Sequence, residues 1–308
     1  MGIGLGAGIL ALAAAAVISW LIWLHGFSDY LSVTFEEPSA TYEGFRNFQE
    51  SSDAEKFTSV ALWNKVGERE LILESTERRS RASVYGMRGQ LQAVFGNTLA
   101  AGRYFTDGEE AVCLIDGKTA RELFGSRDVT GREVLLDGEK MQVVGILQGD
   151  RGVCVIPAGE DEMFCGVTVR KQKAEQSSDT AVSLIGSYMQ GTAERIVDGQ
   201  LYYILALLKT AGILTAATVI PAVLLIMVKE RRLAGAAVLA AGVLILAVIV
   251  VQIPAGSDYL PTYWSDFDFF GELQKEKAGQ IESLKAHQEF WHEEGFLGMK
   301  AVDWTEVF

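Results

Sequence analysis

Ala111-Val112-Cys113-Leu114-Ile115-Asp116-Gly117-Lys118-Thr119-Ala120-Arg121-Glu122-Leu123-Phe124-Gly125 reads as a strand, a cap and a helix in immediate succession. Residues 111–115 are a continuous apolar run of strand length. Asp116 is the type of residue that caps a helix N-terminus, residues 118–124 form the helix, and Gly125 is its stop. Downstream, residues 134–136 and 141–147 are apolar strands joined at Asp137-Gly138, the pattern of a β-hairpin. Residues 153–156 make another short strand. Upstream, residues 71–74 and 83–86 read as short strands flanking the charged run 75–81. Residues 91–94 are a short apolar run before a turn at Gly96-Asn97, and 102–104 and 106–108 read as loop and turn. Residues 180–198 read as a helix. Strands and helices interleave without a strict βαβ rhythm, so the fold class expected here is α+β.

The rest of the chain is of a different kind. The whole chain has 308 residues, 49% of them apolar, yet 27 Lys+Arg stand against 40 Asp+Glu for a net charge of −13. The two properties are segregated: three stretches carry almost no charge and the remainder is polar and acidic. A purely soluble globular protein is excluded, and the acidic balance argues against a nucleic-acid binder, which needs basic patches.

Residues 1–24 hold no ionisable side chain. About 20 residues of helix cross a hydrocarbon core. The competing reading is a cleaved signal peptide, which would want an early Lys or Arg, a shorter apolar run and a small-x-small site. Here the first Lys or Arg is Arg46, and the stretch ends in Trp20, Trp23 and His25, an interfacial anchor. Residues 210–228 are a second uncharged stretch, interrupted by Pro221, which is expected to kink it. Residues 233–253 are a third. Only Lys229, Glu230, Arg231 and Arg232 separate these two, so they form a tight helical hairpin with a basic tip.

Basic residues in short loops stay in the cytoplasm. The tip is therefore inside and both ends of the hairpin emerge outside. The expected organisation is a membrane helix over 1–25 with the N-terminus inside, an extracytoplasmic α+β domain over 26–200, a second membrane helix over 201–228, the cytoplasmic tip 229–232, a third helix over 233–253, and an extracytoplasmic acidic helical tail over 254–308.

Three motifs invite chemistry. Gly117-Lys118-Thr119 looks like the end of a phosphate-binding loop, but the glycine required five positions earlier is Val112, so the bland reading, a strand-to-helix junction, is preferred. Cys113, Cys154 and Cys165 all lie in the outer segment, where an oxidising compartment permits a disulfide. Cys154 and Cys165 could close a loop around Pro157-Ala158-Gly159, or stay free. Cys113, in its apolar run, reads as a buried thiol. His25, His287 and His292 are the only histidines, and the last two are five apart, the wrong spacing for a zinc pair on one helix face. No catalytic constellation and no cofactor site are read from the chain, so it is not expected to be an enzyme.

In the tail, residues 265–294 are acidic and helix-like, capped by Ser265 or Asp266, with Leu273, Ile281, Leu284 and Trp291 as an apolar stripe. This helix would pack on the outer domain or on a partner.

The run Gln90-Leu91-Gln92-Ala93-Val94-Phe95-Gly96-Asn97, followed by Gly102-Arg103-Tyr104-Phe105-Thr106-Asp107, resembles the extracytoplasmic core domain of MacB-like ABC transporter permeases. So do residues 111–115, Lys118-Thr119-Ala120, Leu123-Phe124-Gly125, Gly131-Arg132-Glu133-Val134 and Val143-Val144-Gly145-Ile146-Leu147. The resemblance spans residues 83–147, and the order of one helix, a domain and a helix hairpin extends it. It implies a dimeric permease working with a cytoplasmic ATPase, here a separate chain, whose closure moves the outer domains. The pattern departs from the family's in two ways: the charged coupling helix is reduced to residues 229–232, and a polar tail stands where a fourth membrane helix is expected.

The expectation is a permease-like, non-enzymatic membrane subunit of an ABC-type transport or mechanotransmission system in the plasma membrane. It would touch its ATPase through Lys229, Glu230, Arg231 and Arg232, and pair with itself or another permease. The alternative is a membrane-anchored binding or scaffold protein that has lost the coupling.

Overall fold

A computed structural model describes residues 19, 22, 25–26, 28–96, 99–173, 176–227, 232–251, 259 and 268–286. Ten strands form one mixed sheet: β1 (Tyr30–Phe35), β2 (Phe57–Leu73), β3 (Arg78–Gly89), β4 (Ala101–Gly102), β5 (Val112–Asp116), β6 (Glu133–Leu136), β7 (Glu139–Leu147), β8 (Val153–Pro157), β9 (Gly166–Lys171) and β10 (Ala193–Asp198). The helices are α1 (Tyr42–Gln49), α2 (Gln92–Phe95), α3 (Gly117–Phe124), α4 (Ser178–Met189), α5 (Gly199–Met227), α6 (Arg232–Val251) and α7 (Phe269–Ala286).

The strand order is β10-β1-β9-β2-β3-β8-β5-β7-β4, with β6 bridging β2 and β7. Two neighbouring pairs, β3–β8 and β5–β7, are parallel. Because β6 pairs with both β2 and β7, the strands β2-β3-β8-β5-β7-β6 close into a ring. The strands β10, β1 and β9 extend from this ring as an open sheet. β2 belongs to both parts: Phe57–Trp63 pair with β9, and Leu71 and Ile72 pair with β6. Between these halves the β2–β3 register shifts at Lys65/Gly67, and Gly67 adopts φ +108°. A bulge of this kind bends a strand and raises its twist.

Alternation along each strand sorts the core. Leu31, Val33 and Phe35 of β1, Val60 and Leu62 of β2, and Val167 and Val169 of β9 pack with Phe45 and Phe48 of α1 and Ala181, Ile185 and Met189 of α4. On the opposite face Trp63 packs with Tyr85, Met87 and Val155, and its indole N–H donates to Thr168 Oγ1 at 3.1 Å. Inside the ring lie Val84, Cys113, Ile115, Leu136, Val143, Ile146 and Cys154, against Ala120 and Leu123 of α3.

The strand, cap and helix read from residues 111–125 are β5, Asp116 and α3. The Asp116 carboxylate accepts from Thr119 N at 3.0 Å, and Gly125 ends the helix in the left-handed region. Asp116 is also buried and accepts from Arg151 N and Gly152 N at 2.6 and 2.7 Å, so α3 begins on a carboxylate that already serves the β7–β8 loop. The hairpin turns at Asp137 (φ 51°) and Gly138 (φ 88°), the positive pair that a two-residue turn requires.

Two expectations are corrected. The charged run 75–81 is not a connection throughout: β3 begins at Arg78, and Arg78–Arg81 lie in the ladder opposite Leu73–Glu70. Residues 180–198 are not one helix: α4 ends at Met189, Gln190 turns left-handed at φ 54°, and the chain becomes β10, paired antiparallel with β1. The proposed tail caps Ser265 and Asp266 lie outside the described residues, as do His287, Trp291 and His292.

Candidate functional site at the root of the long apolar helix

β10 runs into α5 without a connecting residue: Asp198 is the last strand residue and Gly199 the first of the helix. α5 is apolar over Gly199–Val223 and, among the described residues, is the one helix long and apolar enough to cross a membrane. The polar groups at its root are buried. Asp198 is 2% exposed, and its carboxylate accepts from Gln200 N at 3.0 Å, satisfying one of the helix's unpaired first-turn donors.

Lys171, the last residue of β9, reaches into the same place with its side chain fully enclosed. Its ammonium donates to Gln176 O (3.2 Å), Ser178 Oγ (3.0 Å) and Gln200 Oε1 (3.1 Å), one bond for each of its three protons. The balancing charge is Asp198, 3.9 Å away. A single cation thus ties the end of β9, the loop after it, the first residue of α4 and the first turn of α5. A buried cation is tolerable only when paired and hydrogen-bonded in this way.

The preceding residue does the same for the start of the domain. Arg170 donates to Asp29 Oδ1 at 2.7 Å and to Gly26 O at 3.2 Å, and its guanidinium lies 5.2 Å from the centre of the Tyr30 ring. His25 packs its ring against Tyr203 of α5, 5.1 Å between centroids. From the other side α7 packs on β10 and brings Lys277 near Asp179 of α4 (3.7 Å) and onto Glu276 (2.9 Å). Burial pulls the Lys277 ammonium down, but the Glu276 hydrogen bond and the charges of Asp179, Glu276 and Asp198 outweigh it, and its pKa is raised. Segments from five parts of the chain therefore meet at one root around the enclosed Lys171–Asp198 pair. Lys171, Ser178, Asp198 and Gln200 are all buried. What the arrangement does physically is lock helix to sheet.

Part of the stretch that carried the family resemblance gathers elsewhere. Gln90, Gln92 and residues 102–107 line a cleft of about 590 Å³ together with Gln49, Gly89 and Leu99. Its outer loop is clamped by Glu109, which takes two 2.7 Å bonds from Arg103 and accepts from Thr106 N and Oγ1 at 2.9 Å. These bonds, the Arg103 guanidinium first, hold the Glu109 carboxyl down at about 2.

Of the candidate residues, Lys229, Glu230 and Arg231 lie outside the described residues. Arg232 is the first residue of α6, and its side chain is not described. Cys113, Cys154 and Cys165 are free thiols. Cys154 points into the ring, whereas Cys165 packs at the cluster around Trp63 and donates to Asn64 Oδ1 at 2.7 Å. The two side chains serve different cores. Cys113 is a buried thiol as read. Among the described residues no group of three or more His, Cys, Asp or Glu is placed to hold a metal. Sequence reasoning missed Arg170, Lys171 and Asp198. Their signal is weak: two basic residues closing the apolar strand Gly166–Val169, and an acid directly before an apolar helix.

Comparison with known proteins adds three findings. The MacB-like periplasmic core domain family matches residues 6–184. Similar solved structures include the extracellular domain of the ABC-type transporter YknZ from Gram-positive bacteria, at 17% identity over 53% of this chain and 96% of that one, TM-score 0.43. Another is the periplasmic region of MacB from Actinobacillus actinomycetemcomitans, at 15% identity over 56% of this chain and 89% of that one, TM-score 0.47. No curated protein matches. The family match covers more than half of the chain and takes in β1 to β9, α3 and the hairpin described above: the chain belongs to the MacB-like periplasmic core domain family.

Proposed function

We propose that this chain is the permease-like membrane subunit of an ABC-type transport or mechanotransmission system, driven by a separate ATPase, and that the Lys171–Asp198 root is its mechanical joint. In this reading residues 1–24, α5 and α6 span the plasma membrane, and the domain and the tail stand outside. The observation that carries it is the unbroken passage from β10 to α5, fixed by a fully enclosed lysine. A domain hung on a flexible linker could not feel a movement of the helix; one locked in this way must follow it. Support for a membrane hairpin comes from the packing of α6 on α5, where Gly235 sits against Ala222 and Ile226, and Gly242 against Thr218, each too close to admit a side chain. The subunit itself performs no chemistry, and Lys229, Arg231 and Arg232 form its contact with the motor.

The test is a mild-detergent pull-down of the full chain from native membranes, comparing wild type with an Arg231→Glu/Arg232→Glu variant. Recovery of a cytoplasmic ATPase with wild type and its loss from the variant is the expected result. If neither form brings down an ATPase while extracytoplasmic proteins are recovered, the coupled reading fails and the chain is a scaffold. That alternative draws on the size of the tip, four residues against roughly 20–30 on each side of an ordinary interface.

A further inference from the structure

Among the described residues β10 is an edge strand of the sheet: β1 pairs with it on one side and no strand on the other. It is also the strand that runs into α5. Proteins often cover such an edge with a helix, and here α7 packs on β10. Over residues 268–280 the burial of α7 follows a single stripe. Phe269, Leu273 and Gln280 are half-buried, Lys277 is buried, and the residues between them are exposed. Steps of four, four and three put these side chains on one helix face. The most buried residue of that face is a cation. Lys277 lies 3.7 Å from Asp179, 2.9 Å from Glu276 and 5.8 Å from the centre of the Tyr259 ring. Asp179 follows Ser178, whose hydroxyl accepts from Lys171. The tail helix is thus fastened to two pieces of the root at once, β10 and the first turn of α4.

The attachment is narrow. Little apolar surface is buried along this face, and Phe270 next to it is 56% exposed. Lys277 is enclosed, but the side chain of Asp179 is 52% exposed. Few buried apolar contacts mark a segment of low local stability, one that opens without unfolding the rest. We propose that α7 is a latch on the root: docked, it holds β10 against α4 and restrains the tilt of α5; undocked, it lets the root move. This rests on reading the root as a mechanical joint, and it adds the element that sets how stiff the joint is. Lys277 is the positioning residue of the latch, because it is the point at which α7 meets both α4 and β10.

The experiment is hydrogen–deuterium exchange of the full chain in detergent, read by mass spectrometry, for wild type and three variants. Lys277→Glu sets a third carboxylate beside Asp179 and Glu276. Leu273→Asp spoils the same face one turn away and leaves the charges of the root in place. Each should raise exchange over α7 and over residues 193–202 by about tenfold or more, while β5 and β8 keep wild-type rates and report a folded ring. Lys277→Arg keeps the charge and should stay near wild type. The latch is overturned if α7 of the wild type already exchanges as an undocked helix, a result that needs no variant to fold. It is equally overturned if the two disruptive variants free α7 and leave residues 193–202 at the wild-type rate. No ATPase enters this measurement, so a failed pull-down leaves its result standing, and a failed latch leaves the pull-down standing.

Discussion

Replacing Lys171 by Met keeps the length of the side chain and removes its charge. It leaves Gln176 O, Ser178 Oγ and Gln200 Oε1 without their Lys171 donor, and Asp198, 2% exposed, without its nearest counter-charge. Removing one partner of a buried pair costs about 3–5 kcal/mol. The reciprocal change, Asp198→Asn, keeps an acceptor for Gln200 N and the three oxygens around the ammonium, and loses mainly the attraction across 3.9 Å. At an effective dielectric of about 20 that attraction is about 4 kcal/mol. The two numbers converge, so each single variant should lose about 3–4 kcal/mol. The double variant Lys171→Met/Asp198→Asn should be no worse than the poorer single, a coupling of at least about 2 kcal/mol. The assay is urea unfolding of the full chain in detergent, followed by tryptophan fluorescence, to which buried Trp63 contributes. With a slope of about 2 kcal/mol per molar, each single should lower the midpoint by roughly 1.5–2 M. A shift below about 0.5 M for Lys171→Met, or strict additivity in the double variant, would refute the joint.

Other outcomes follow from the same geometry. Asp116→Ala removes the cap of α3 and strands the buried N–H groups of Arg151 and Gly152; a loss of about 3 kcal/mol is expected in the same urea assay. Gly166→Ala places a methyl against the Trp63 ring and should cost about 2–3 kcal/mol by overpacking, partly recovered by Trp63→Phe, as read by thermal melting. Glu109, depressed to about 2, contributes stability that is fully present above its ordinary value near 4.5 and lost as pH falls through about 2; Glu109→Gln should flatten the stability-against-pH curve in that window.

The parts of this fold legible in the sequence are those whose causes are local. Asp116 and Gly125 bracket α3 because a cap and a left-handed stop act within four residues, and Asp137-Gly138 fixes its hairpin alone. β10 was hidden because what makes Ala193–Asp198 a strand is β1, far earlier in the chain; the local pattern fits a helix equally well. Arg78–Arg81 looked like a linker because their charge is exposed, yet Ser80 is buried and donates to Glu122 on α3 at 2.7 Å, a contact the pattern does not encode. The thiols show the same dependence: Cys154 and Cys165 are close in sequence, but the sheet sends them to different cores. The root is the least legible part. Lys171 and Asp198 are ordinary charges until β9 and β10 bring their ends to one spot.

Under the proposed function, that convergence gives a movement of α5 a route across the molecule. A tilt of α5 acts first on β10, since no hinge residue lies between them. From β10 it would pass through antiparallel ladders to β1, β9 and the first half of β2. Hydrogen-bonded ladders shear poorly, so these four segments move as one plate, with Arg170 and Lys171 clamping its edge to both ends of the domain. The plate meets the closed ring at the Lys65/Gly67 bulge of β2. The ring has no free edge along which its strands can slide, and it must turn as a body. A small rotation at the root is therefore delivered across the length of β2, roughly 55 Å for its 17 residues at the usual rise. The bulge is where the β2–β3 register shifts, between the half of β2 that pairs with β9 and the half that pairs with β6, which under the proposed function makes Gly67 the natural pivot and the ring the lever's far end.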